Sequence, residues 1–180
     1  DGPIAEFKTI GAREIGNIEE AAHGILSGFL AGEATGGEWV ETLETLWCKT
    51  FGCKHAISMN SATSGLLAAA ATVNHLNGSF LVSPYTMSAT VAAPMFCGLT
   101  PVFSDIEPDT FNLDLQKIWP WGAISELEGI EAIIVTNLFG HAAELRKMRE
   151  FADRHELLMI EDNAQSPLAT EDGKYAGTFG

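Results

Sequence analysis

The feature that most constrains the fold is a set of short, almost wholly apolar segments alternating with helical patterns. Phe80-Val82, Pro101-Ser104, Ala132-Thr136 and Leu157-Glu161 read as strands, and His55-Met59 reads as a fifth. Between them, Thr63-Leu76, Ser88-Cys97 and Ala143-His155 read as helices. Strands that are continuous apolar runs are buried on both faces, which calls for a sheet with helices on each side. The predicted fold is therefore α/β, with a mostly parallel sheet sandwiched by helices. Upstream, Glu14-Phe29 sets Ile15, Ile18, Ala22, Ile25, Leu26 and Phe29 at helical spacing, so one face of it is expected to be buried. The glycine-containing stretch Ala31-Gly37 ends that pattern. A second helix follows, with Trp39, Val40, Leu43, Leu46 and Trp47 on one side and Gly52 as its stop. Asp114-Leu127 is interrupted by Pro120 and Gly122 and gives no clear element. No repeat, low-complexity tract or linker divides the chain, so one domain is the simplest organisation.

Composition narrows the function classes. A content of 46% hydrophobic and 19% charged residues over 180 positions is that of a globular protein with a real core. Acidic residues outnumber basic ones 24 to 10, for a formal charge of -14. That surface repels phosphate backbones and anionic lipid, which argues against nucleic-acid and membrane partners. No apolar run approaches the ~18 residues of a membrane span. The start, Asp1-Gly2-Pro3-Ile4, lacks the pattern of a secretory signal, so a cytoplasmic location is expected. Cys48, Cys53 and Cys97 are odd in number and form no C-x-x-C, and they are expected to be reduced and buried. The five histidines have no ligand spacing, so no metal is expected.

In open α/β sheets ligands bind outside the carboxyl ends of the strands, so the residues just after each apolar run carry the information. Asn60-Ser61-Ala62-Thr63-Ser64-Gly65 opens a helix. Its exposed amides, hydroxyls and helix dipole make a phosphate seat without lysine or arginine, and Ser61 or Thr63 reads equally as an ordinary N-cap. Leu157-Ile160 runs into Glu161-Asp162, a pair of carboxylates costly to bury without a partner. A protonated pyridine nitrogen is one partner that fits, and a solvated strand end is the alternative. Side chains alternate along a strand, so one of the two points away from the site; alternation alone does not choose which. Met87 is positioned to lie against a planar ring or simply to pack. Asn137 and His141 follow Ala132-Thr136 towards the same edge, and Gly36-Gly37 either approaches a ligand or merely turns.

Five of these loops resemble, in order, the motifs of the PLP-dependent sugar aminotransferases of the DegT family. Ser61-Ala62-Thr63-Ser64-Gly65-Leu66 is similar to the family's S-G-T-x-A-L phosphate loop, and Ser83-Pro84-Tyr85-Thr86-Met87-Ser88-Ala89-Thr90 to its P-x-[YF]-T-[FW]-x-[AS]-T loop. Pro101-Val102-Phe103-Ser104-Asp105-Ile106 resembles P-V-F-x-D-I, Asn137-Leu138-Phe139-Gly140 resembles H-L-Y-G, and Ile160-Glu161-Asp162-Asn163-Ala164-Gln165 resembles I-E-D-x-A-Q. The likeness runs from about Glu14 to Gly180. Single motifs of this kind are weak; five in register are strong.

The resemblance implies the large domain of a fold-type I aminotransferase, with pyridoxal 5'-phosphate (PLP) as cofactor. It implies that Asp162 pairs with the pyridine nitrogen and that Gln165 hydrogen-bonds the ring hydroxyl oxygen. Thr63, the backbone at Ala62 and the Ser61 side chain would bind the phosphate, and Met87 stands where an aromatic residue usually stacks on the ring. Asn137, in place of a histidine, and Gly37 are candidate substrate contacts. Ala62 replaces a glycine, which the backbone tolerates only at negative φ. The family's Schiff-base lysine matches none of Lys8, Lys49, Lys54, Lys117, Lys147 or Lys174 and is expected beyond Gly180, so the chain reads as part of a longer protein without its small carboxy-terminal domain. The implied parent is a homodimer that moves an amino group from glutamate or glutamine to a nucleotide-linked keto sugar. A sugar dehydratase of the same fold, or a non-catalytic PLP-binding sensor, is the alternative. These 180 residues alone are expected to bind PLP weakly and to show no transaminase activity.

Overall fold

The computed structural model describes residues 11–28, 37–73, 78–118 and 129–180, the side chains of 24–28 excepted. Phe29, most of Ala31-Gly37, Asn74-Leu76, most of Asp114-Leu127 and the side chains of Ile25 and Leu26 lie outside the described residues. The chain divides into two compact units, one ending at Ser58 and the other running from Met59 to Gly180.

The first unit is helical. α1 spans Ala12–Gly28 and α2 spans Gly37–Phe51. Their amphipathic spacing matches the sequence reading; of the α1 stripe the described Ile15 and Ile18 are exposed, and on α2 Trp39, Leu43, Leu46 and Trp47 are similarly open. A helix buries its apolar stripe only where something covers it, and the described residues supply no cover. α2 stops at Gly52, whose φ of 68° is left-handed and whose N–H donates to Cys48 O at 2.9 Å. This turn is a glycine cap, which folds the residue beyond it back over the last helical turn. Cys53 accordingly lies against Cys48, and burial followed by the Cys53 thiol pushes the Cys48 thiol above its ordinary value. The three cysteines are free but only half-buried, which corrects the expectation of buried thiols. His55-Met59 also departs from expectation. It has no ladder partner among the described residues, Ile57 is exposed, and Ser58 N donates to Glu44 Oε1 at 2.7 Å. An apolar run becomes a strand only where another strand takes its amides, and among the described residues none does.

The second unit holds the sheet. β1 (Ser79–Val82), β2 (Thr100–Phe103), β3 (Ile130–Thr136) and β4 (Leu158–Asp162) are all parallel, in the order β2-β1-β3-β4. Period-two alternation splits their side chains between two cores. Phe80, Val82, Ala132 and Ile134 pack with Ala70 of α3 (Ala62–Ala70), with Val91 of α4 (Ser88–Phe96) against them. Leu81, Ile133, Val135 and Met159 pack on the other face, past a short α5 (Leu115–Ile118), with Leu145, Met148, Phe151 and Ala152 of α6 (Leu145–Arg154). Helices thus cover both faces, as the continuous apolar runs required. α3 ends earlier than the pattern suggested, because the Thr72 hydroxyl bonds Ala69 O at 2.7 Å and closes the turn. A hairpin of β5 (Thr170–Glu171) and β6 (Lys174–Tyr175) follows the sheet. Between β2 and α5, Glu107 Oε2 accepts from Asp109 N at 3.1 Å and Thr110 N at 2.7 Å, and these bonds hold the Glu107 carboxyl below its ordinary value.

Candidate active site

The two carboxylates at the end of β4 are separated by strand phase. Ile160 packs with the α3/α4 core and Met159 with the α6 core, so Asp162 shares the face of Ile160 and Glu161 that of Met159. Asp162 is only 6% exposed. Its Oδ2 accepts from Thr90 Oγ1 at 2.6 Å and its Oδ1 from Ala164 N at 3.2 Å, while no cation among the described residues pairs with it. Glu161 turns the other way. Its Oε2 accepts from Gly177 N at 2.7 Å, and its Oε1 accepts from Phe179 N at 2.6 Å and Gly180 N at 2.7 Å. Glu161 is therefore committed to holding the segment Gly177–Gly180, and Asp162 is the carboxylate free to meet a ligand from the α4 side.

α3 brings its amino end to the same edge. Its last turn, Ala69 with Thr72 and Val73 beyond it, shares a groove with Leu158, Met159, Ile160 and Glu161 of β4 and with Gly177 and Gly180. Nine helical residues rise about 13 Å, comparable with the five-residue strand at ~3.3 Å each. α4 opens beside Asp162 through Thr90 and ends beside Leu67 O, which Cys97 Sγ meets at 3.6 Å. The second half of α3 therefore lies at the end of α4 remote from Asp162. Ser61 is its N-cap, extended at φ -163°, with its Oγ accepting from Ser64 N at 3.2 Å. The capping role is thus real, and Ser64 Oγ adds a bond to Asn60 Oδ1 at 2.6 Å. The amides of Ala62 and Thr63 precede any helical carbonyl that could accept them, and both residues are exposed. Ala62 is helical, so the replaced glycine leaves no strained backbone.

Met87 is an exposed residue that caps α4 without a side-chain bond, three positions before Thr90. Gln165 is exposed in the loop after β4. Asn137, expected as a substrate contact, is instead fully buried. Its Oδ1 accepts from Ala143 N at 2.8 Å, and its carbonyl accepts from Ser166 Oγ at 2.7 Å. The amide is thus held by its oxygen, while its Nδ2 is buried with no hydrogen-bond partner among the described residues. Gly37 opens α2 in the helical unit with a left-handed φ of 71°, a turn that favours glycine by itself.

Two groups were not foreseen from the sequence. Thr90 is a hydroxyl on the buried side of an otherwise apolar helix; a buried hydroxyl needs a partner, and that was the available signal. Tyr85, Phe111 and Phe139 form a ring cluster beyond the strand ends, with centroids 5.2 to 6.4 Å apart. Phe111 and Phe139 hold left-handed backbones at φ 61° and 55°, strain that clusters at functional loops. No spacing in the sequence announces it.

The chain matches the DegT/DnrJ/EryC1/StrS aminotransferase family over residues 16–180. It is similar to GDP-perosamine synthase of Caulobacter vibrioides, with 33% identity over 150 residues that cover 80% of this chain and 38% of that protein. It is also similar to the GDP-4-keto-6-deoxy-D-mannose 3-dehydratase of Escherichia coli O55:H7, at 31% identity, covering 81% of this chain and 38% of that one. A solved E. coli GDP-4-keto-6-deoxy-D-mannose-3-dehydratase with bound hydrated PLP superposes with a TM-score of 0.81 at 26% identity, over 97% of this chain and 44% of that chain. The chain spans about two fifths of the length of the curated relatives it matches. The fold class read from the sequence holds: a mostly parallel sheet with helices on both faces, shared with these structures. No helix among the described residues is long and apolar enough to cross a membrane.

Proposed function

The chain belongs to the DegT/DnrJ/EryC1/StrS aminotransferase family, and on that premise we propose that its parent is a PLP-dependent sugar aminotransferase. The observation that carries this reading is Asp162, a buried carboxylate with hydrogen bonds but no cation among the described residues. A protonated pyridine nitrogen fits that vacancy in charge. When bound, PLP supplies an electron sink for cleaving bonds at an amine-bearing carbon.

The chain's own residues hold and orient it. Asp162 would hold a proton at the pyridine nitrogen, and Gln165 would hydrogen-bond the ring oxygen. The first amides of α3, with Ser61 and Thr63, take the phosphate at the positive end of the helix dipole. Met87 covers one ring face. Methionine adapts its shape but does not stack like an aromatic ring, so cover there is looser. The amino group would come from glutamate or glutamine and go to a nucleotide-linked keto sugar in a homodimeric cytoplasmic enzyme.

The test uses the full-length protein with PLP, each amino acid in turn and a panel of nucleotide-linked keto sugars. Donor-dependent change in the cofactor's absorbance, with an amino sugar as product, is expected. Absence of both sinks the proposal. The likeness to the E. coli dehydratase supports a second reading, which predicts a sugar that has lost water rather than gained an amine.

A further inference from the structure

Three threonine hydroxyls stand in line behind Asp162. Thr90 Oγ1 donates to Asp162 Oδ2 at 2.6 Å. Thr86 Oγ1 lies 2.9 Å from Thr90 Oγ1, and Thr136 Oγ1 lies 3.2 Å from Thr86 Oγ1. A hydroxyl carries one proton, so the bond to Asp162 fixes the direction of the others. Thr90 has given its proton to the carboxylate, so Thr86 must donate to Thr90. Thr86 then has none left, so Thr136 donates to Thr86. Every proton in the chain points towards Asp162, and hydroxyls aligned this way strengthen one another.

The line crosses three elements: α4 for Thr90, the loop before it for Thr86, and the end of β3 for Thr136, whose Cα partner in the ladder is Asp162 itself. Thr90 and Thr136 are buried and Thr86 is half-buried. A helical threonine often bonds a carbonyl of its own helix; Thr90 instead reaches a side chain 72 residues away. Ala164 N holds the other carboxylate oxygen. Both oxygens are therefore oriented from within the chain before any ligand arrives.

We propose that Thr90 is a positioning residue for the cofactor site, which with Thr86 and Thr136 locks the Asp162 carboxylate in the orientation that meets a pyridinium nitrogen. This rests on the reading of Asp162 as the nitrogen's partner. Such pre-orientation is what separates a site that is present from one that is precise enough to act.

The experiment loads the full-length protein with PLP carrying 15N at the ring nitrogen and reads that nitrogen's chemical shift, together with PLP affinity, in wild type, D162N, T90V, T90S and T86V. D162N is expected to move the signal to that of the unprotonated ring. T90V, which keeps the shape and removes the hydroxyl, is expected to move it part of the way and to weaken PLP binding by about tenfold. T90S should restore the wild-type signal, and T86V should shift it less in the same direction. A response to D162N with none to T90V overturns the role of Thr90 and leaves Asp162 standing. No response to D162N overturns the reading of Asp162 itself. If T90V does not fold, T86V decides at its half-buried position: a shift supports the chain of hydroxyls, and no shift overturns it.

Discussion

The two units of this protein use similar apolar residues to opposite ends. From Met59 onward, Phe80, Leu81, Ile133, Ile134, Leu145 and Met148 are enclosed between a sheet and its helices. Before Ser58, Ile15, Ile18, Leu43, Leu46 and Trp47 lie on helices just as regular, yet remain about half exposed. Helical periodicity states only that a face wants cover. A sheet with helices on both sides brings that cover with it, because each strand alternates its side chains into two cores. Order in the helical unit therefore depends on propensity and caps, and order in the sheet unit on packing.

The sharpest test of that contrast is a matched pair of truncations. Ile133→Ala, at the centre of the sheet, should cost about 3–4 kcal/mol in urea unfolding, because the transfer and cavity terms add. Leu43→Ala on α2 should stay within about 0.5 kcal/mol, since an exposed side chain loses little and alanine favours helix. Equal costs would break the comparison and show that α2 is covered in solution.

A smaller effect should follow from Glu161→Ala, which strips the acceptor from three amides. A loss of about 1–3 kcal/mol is expected, with faster hydrogen exchange at Gly177, Phe179 and Gly180. Unchanged exchange at those amides would show that the segment holds itself.

The smallest effect concerns Glu107. Its carboxyl is held low by amide bonds, so its contribution to the turn is present above the ordinary carboxylate range and is lost as pH falls through the depressed folded value. Amide shifts of Asp109 and Thr110 should move in that acid range, and Glu107→Gln should abolish the movement. A response that survives the substitution would assign the titration elsewhere.

Much of the sheet unit could be read in advance, since Phe80-Val82, Ala132-Thr136 and Leu157-Glu161 have nothing polar to offer solvent until their carboxyl ends. The same logic failed at His55-Met59, because a strand depends on a neighbour that local composition does not reveal. The choice between Glu161 and Asp162 was left open by strand alternation alone, although the family resemblance already implied Asp162. That choice needs the phase of β4 relative to α4 and to Gly177–Gly180, a relation between distant segments. Asn137 shows a related limit: its place at the strand edge was legible, but not that its side-chain oxygen would accept from Ala143 N.

The adjacency of Glu161 and Asp162 has a consequence for how this strand can change over time. Substitutions in β4 act by degrees, each altering one contact. A single codon gained or lost between Leu158 and Ile160 would instead rotate every later side chain to the opposite face. An inserted residue would bring Glu161 to the place beside Thr90, and a deleted one would bring Asp162 to the Gly177–Gly180 amides. Insertions and deletions in this strand should therefore be purged even where replacements are tolerated, so that its length is inherited more strictly than its spelling.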